Sequence, residues 1–263
     1  MTFGESKLLR LSLSALLATL SGCGAAPTTA ERPPTAASDT AVQTPADELA
    51  RRVATKAGLD HLGEVAELRF RFVVVAGTER RMDALHRWDL RGARDHVTWR
   101  DGEHAYDVIV DLRTRTATGT LDDAPLSEDA ARTAGEEAYG RWVNDSYWLV
   151  LPLKLLDPGV RRTREAQREH AGKQYEILSL EFDHVGLTPG DHYWLYVDPA
   201  TARIERWEML LEGDTGAPRG TSFERHTAVG PLELALDHAT DDGQRHVLFE
   251  DVEALGSVAT RDF

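Results

Sequence analysis

The chain has 263 residues and a single cysteine, Cys23, so no disulfide can form within it and a CxxC metal site has no source. A GxSxG elbow, a glycine-rich phosphate loop and an HExxH helix are all missing, which removes the common signatures of serine hydrolases, nucleotide enzymes and zinc peptidases. Lysine is scarce, standing only at 7, 56, 154 and 173, and the formal net charge is -14. Such an acidic surface repels phosphate backbones and anionic headgroups, which argues against nucleic-acid binding and against electrostatic docking on a membrane. Long apolar runs are rare too. The two that occur are LSLSALLATL near the start and YWLVLPLKLLDPGV in the middle.

The first run follows Lys7 and Arg10 and is well short of the roughly 20 residues that span a bilayer as a helix, so residues 1–22 read as a secretory signal peptide. Its end, Leu20, Ser21, Gly22 and Cys23, resembles the lipobox of bacterial lipoproteins, in which the cysteine thiol carries a diacylglyceryl group and the new amino terminus is usually acylated. Two or three acyl chains hold a protein stably on a membrane, where one holds it marginally. Gly24 rather than aspartate after the cysteine points to the outer membrane, facing the periplasm. Residues 23–44 are rich in Ala, Pro, Thr and Ser and read as a tether, because they cannot bury enough surface to offset the entropy of ordering. Residues 45–263 form the folded domain.

That domain opens with a helix: Thr44 as N-cap, Pro45 in the first position, Asp47 and Glu48 in the first turn, Gly58 past the end, and an apolar stripe of Leu49, Val53 and Ala57. VAELRFRFVVV then alternates as a half-buried strand, and Asp101-Gly102 marks a hairpin between two further runs. Asp111 and Asp198 sit in corners of the form Val-Asp-x-x-Thr, where aspartate accepts from backbone two residues on. A second helix is expected from Ser127 to about Trp142, followed by strands in KQYEILSLEF, HYWLYVD, RIERWEMLLE, GTSFERHT, LELALD and HVLFEDVEAL. The fold class is α+β: a large curved antiparallel sheet of about 10 or 11 strands, an incomplete β-barrel, with helices on one face.

The stretch WVNDSYWLVLPLKLLDPGV and the later VDPATARIERWE are similar to segments of uncharacterised bacterial lipoproteins, and the whole element order resembles the lipoprotein-carrier fold of LolA and LolB. The resemblance implies a half-barrel and helical lid enclosing an apolar cavity for acyl chains, with no cofactor and no enzymatic activity. Pro152 argues against a regular strand through the apolar run, and Pro158-Gly159 ends it in a turn. The run is therefore expected to be an irregular connection that plugs the core, lines a ligand cavity, or touches lipid or a partner. Its candidate lining residues are Trp142, Tyr147, Trp148, Leu149, Leu151, Pro152, Leu153 and Leu155, with Lys154 either snorkelling over apolar surface or standing as a charged group at the cavity mouth. Asp183-His184, Asp191-His192 and the group Asp237, His238, Asp241, Asp242 and His246 fall at strand ends and turns, where polar residues belong, and no metal ligand is assigned among them. Two readings remain open: a lipid or acyl-chain binder, and a structural or partner-binding envelope protein with a filled core. On either, Cys23→Ser is expected to move the signal-cleaved protein from the detergent phase to the aqueous phase on partition; persistence in the detergent phase would refute lipid anchoring.

Overall fold

The computed structural model describes residues 44–183 and 185–258. Cys23, the expected signal peptide, the tether up to residue 43, His184 and residues 259–263 lie outside the described residues.

Helix α1 spans Pro45–Lys56 and begins as its sequence dictates: the Thr44 hydroxyl accepts from the Asp47 N–H while the Asp47 carboxylate accepts from the Thr44 N–H, a reciprocal cap. It ends where Gly58 turns left-handed at φ 98°; a Cβ there would lie 2.5 Å from the Pro231 carbonyl oxygen, so only glycine fits. A short 3-10 helix, Leu59–Glu64, leads into the strands.

Six strands follow: β1 (Glu67–Ala76), β2 (Glu79–Asp89), β3 (Arg94–Asp101), β4 (His104–Asp111), β5 (Ala117–Leu121) and β6 (Ala124–Pro125). Helix α2 runs Glu128–Lys154. Then come β7 (Val160–His170), β8 (Lys173–Phe182), β9 (His192–Val197), β10 (Ile204–Leu210) and β11 (Arg219–Ser222), and last β12 (Thr227–Val229), β13 (Leu232–Leu234), β14 (Asp237–Ala239) and β15 (Arg245–Leu255). Every pairing is antiparallel. The larger sheet has the order β14-β15-β1-β2-β3-β4-β5-β6, the smaller β11-β10-β9-β8-β7, and β12 and β13 form a separate hairpin.

Two isolated bridges, Thr221 to Thr240 and Glu224 to Asp237, join the β11 side of the smaller sheet to the β14 side of the larger. The surface so formed ends at β6 on one side and β7 on the other, so the barrel stays open. In the chain, α2 is the connection between those two ends. The expected class, a curved unclosed antiparallel sheet with helices packed against it, is what the structure has, with fifteen strands among the described residues rather than 10 or 11. The extra strands include β2 and β7, whose polar residues on both faces hid them.

The connection itself corrects the reading of the apolar run. It is the second half of α2, not an irregular loop, and the helix does not stop near Trp142. The run lacks a helical period because sheets approach it from both sides: Leu151 and Leu155 pack with Leu178, Leu195 and Trp207, while Leu149, Val150 and Leu153 pack with Leu68, Phe70 and Phe249. A helix surrounded by protein is apolar all round. Pro152 forgoes the bond back to the Trp148 carbonyl, and the helix runs only two residues beyond it, to Lys154. Nearer its start, α2 lies close to β5: a Cβ on Gly135 would come within 2.9 Å of the Ala117 methyl.

Leu151 is fully buried. Leu151→Ala is therefore expected to cost about 2–5 kcal/mol of unfolding free energy. Lys154→Ala, which breaks only a half-exposed ion pair, should cost about 1 kcal/mol or less. Urea denaturation of both variants checks the contrast.

Candidate functional site

The candidate residues named from the sequence all sit on α2 or at its end, and the structure divides them among three environments. Trp142 faces the larger sheet, its ring edge-on to Trp88 at 5.4 Å and 5.7 Å from Tyr139. Tyr147 faces the smaller sheet, in contact with Phe182, Tyr193 and Trp207, while Trp148 bridges the two sheets, 4.6 Å from Trp207 and 5.5 Å from His238. Leu149, Leu151, Pro152, Leu153 and Leu155 are buried between the sheets. Aromatic rings thus run in contact from Phe182 through Tyr147, Trp207 and Trp148 to His238, Phe249 and Phe70.

The helix is secured at its C-terminal end by charge. Arg162 on β7 donates from one guanidinium nitrogen to the carbonyls of Leu155 (2.8 Å) and Val160 (2.9 Å) and from another to Asp47 (2.9 Å). One side chain therefore satisfies a terminal carbonyl of α2 and ties it to the first turn of α1. Lys154 pairs with Asp157 at 2.7 Å, and both side chains are partly exposed.

Among the described residues two small spaces border α2. A partly open apolar pocket of about 80 Å³ is lined by Leu62, Val65, Leu68, Trp88, Leu90, Val150, Leu153 and Leu232, with Lys154 and Asp157 also on its wall. A second space, about 20 Å³, lies beside Pro152 and is bordered by Lys56, Arg203, His226 and Glu233. An apolar cavity that takes up benzene is about 150 Å³. The larger pocket therefore admits a group the size of one branched side chain, and an extended acyl chain does not fit.

The most unusual chemistry is a set that the sequence reading missed. His86 on β2 is fully buried; its Nδ1 lies 2.7 Å from Asp95 Oδ2 on β3 and its Nε2 3.1 Å from Asp145 Oδ2 on α2. Asn144 donates to the other Asp145 oxygen at 2.8 Å, and Asp95 Oδ1 has no partner among the described residues. Phe70 stacks on the imidazole at 4.7 Å. Burial alone would push the imidazole down, but the charges of Asp95 and Asp145 and the hydrogen bonds to them outweigh it and raise the group to about 9. Their sequence separations hide them, yet there was a signal: Asp95 alternates with Val97 and Trp99 on the apolar face of β3, and His86 lies between Ala84 and Trp88 on that of β2. His238 shows the opposite case, since burial without a carboxylate partner lowers it to about 3 and keeps it neutral.

Most of the other polar residues named from the sequence have partners among the described residues. Asp111 accepts from the N–H groups of Arg113 and Thr114, and Asp198 from that of Ala200, as expected of corner residues. Asp191 accepts from Thr188, Tyr193 and the Glu212 N–H, His192 meets Ser179, His246 pairs with Asp237, and Asp241 pairs with Arg206. Among the described residues no three His, Cys, Asp or Glu side chains converge as a metal site would require, and no helix is long and apolar enough to cross a membrane.

No protein-family model matches the chain, and no curated protein matches it. Solved structures similar to it include a LolA superfamily protein from Nitrosomonas europaea, at TM-score 0.48 and 10% identity over 81% of this chain and 96% of that one. Another is a DUF1329 family protein from Desulfovibrio piger, at TM-score 0.48 and 9% identity over 82% of this chain and 95% of that one. Neither likeness brings a ligand or an activity to this chain.

Two carboxylates that tie elements together carry a pH signature. Glu233 on β13 is held down to about 2, first by hydrogen bonds from Arg203, with Lys56 of α1 adding to them against the cost of burial. Burial works against Asp198 as well, but the Ala200 N–H, Lys173 and Thr201 hold it at about 2. Both values lie below those of an unfolded chain, near 4. The stability they contribute is therefore present above about pH 4 and lost as pH falls toward 2. Glu233→Gln should flatten the fall of Tm between pH 4 and pH 2 by comparison with the unsubstituted protein, as calorimetry would register.

Proposed function

We propose that the protein is a non-enzymatic lipoprotein of the bacterial envelope, anchored through a lipid on Cys23 with its domain on the periplasmic side of the outer membrane, and that it acts by binding a protein partner on its outer surface. The observation that supports this is the filled interior. The second half of α2 occupies the concave side of the sheet, and Leu149, Leu151, Leu153 and Leu155 take the volume an acyl chain would need. Ligand pockets for drug-sized molecules run to roughly 300–1,000 Å³ and bury most of their ligand; among the described residues the two spaces beside α2, about 80 and 20 Å³, are far smaller.

A second reading has one observation in its favour. The apolar pocket beside Val150 and Leu153 would be the starting point of a larger cavity if the end of α2 moved outward; of the candidate lining residues Leu153 already borders it. That reading makes the protein a binder of lipid or of another lipoprotein's acyl group.

Native mass spectrometry of residues 24–263 separates the two. Lipid-free protein that does not take up a fluorescent fatty-acid probe is the expected result. Co-purified lipid, or saturable probe binding lost on Leu151→Trp, would overturn the filled-core reading in favour of the second.

A further inference from the structure

The buried His86 set has no role in either reading of the function, and it sits where α2 meets the larger sheet. We propose that His86, Asp95 and Asp145 form a protonation-dependent latch that seats α2 on the sheet, and that loss of the imidazolium proton releases the helix side of the latch.

An imidazolium donates from both ring nitrogens at once, so here it bridges a carboxylate of β3 and one of α2. A neutral imidazole has one N–H. Whichever carboxylate then faces the bare nitrogen meets a lone pair instead of a donor, at a point where ring and carboxylates are closed off from bulk solvent. The contact to Asp95 is 2.7 Å and that to Asp145 is 3.1 Å, so the remaining proton stays with Asp95, and the helix loses its tie.

Few other groups bear on the ring. From β1 comes Phe70, stacked and uncharged. From β3 comes Asp95, whose cross-strand neighbour on β4 is Val110. From α2 come Asp145 and Asn144, with Arg141 one turn earlier engaged by Glu137 and lying over Trp99. On β2 itself, Arg87 is paired with Glu67. The imidazole is therefore set by the two aspartates, and its raised value of about 9 agrees with the geometry.

The sign follows from linkage. With α2 seated, the ring holds its proton up to about pH 9; with α2 lifted it loses Asp145 but keeps Asp95, and its value falls toward the 6.5 of a free imidazole. Between those values the seated form binds one more proton, so lifting becomes easier by up to about tenfold per pH unit and levels off above 9.

Hydrogen exchange on the mature protein, read as protection factors from pH 6 to 10, tests this. Expected is a fall in protection of amides 143–151 on α2 across pH 6.5–9, with β8 amides unchanged, and a flat profile in Asp145→Asn, which keeps the shape but removes the charge. A flat profile in the unsubstituted protein, the same slope in Asp145→Asn, or an equal fall in β8 would overturn the latch. Because Asp145→Asn could fail to fold, nitrogen-15 NMR of the imidazole supplies a second test on the unsubstituted protein. Two protonated ring nitrogens at pH 7.5 support the proposal, and a neutral ring at that pH refutes it.

Discussion

The seating of the second half of α2 between two sheets is the constraint on which the rest of this structure depends. A helix with apolar side chains on every side cannot stand at a surface, and neither sheet alone could cover it. The larger sheet takes Leu149, Val150 and Leu153; the smaller takes Leu151 and Leu155. The two core clusters thus share one helix, and Trp148 borders both. The unclosed barrel is the shape that a sheet must have to wrap a helix that enters beside β6 and leaves beside β7.

Polar chemistry is placed at the ends and the middle of that helix. Ser127 caps its start, Arg162 its finish, and Asp145 meets the buried imidazole between them. Buried ionic groups contribute little net stability compared with well-packed apolar ones, because desolvation consumes most of the attraction. Their effect here is positional. Carboxylates at fixed points of β3 and α2 fix the helix in rotation and in height against the strands, which side chains as interchangeable as leucine do not.

How much of this was legible in the sequence depended on whether a segment has one environment or two. Helix α1 and strands β1, β3 and β4 each have one buried face, and their caps, alternation and Asp-Gly turn disclosed them. The run Tyr147 to Leu155 has none of that asymmetry, and Pro152, read as a breaker, is in fact a last-turn residue. β7 failed for the opposite reason: it is an end strand, and its charged residues on both faces are what keeps such an edge from pairing with other chains. The His86 set is assembled from residues 9 and 59 positions apart, and only the sheet register and the crossing of α2 bring them together.

The pairing of β1 with β15 has a consequence for how the molecule comes into being. Glu67 faces Leu255, so the first strand of the sheet has as one neighbour almost the last residues of the described chain. Until those residues exist, β1 presents an unpaired edge and Phe70 and Phe72 lack Phe249. Contacts of such separation make folding slow, since the loop must close before the contact is gained. The domain can complete its larger sheet only once the whole chain is present, and every partly made chain carries an open, apolar strand edge that needs to be kept apart from others of its kind.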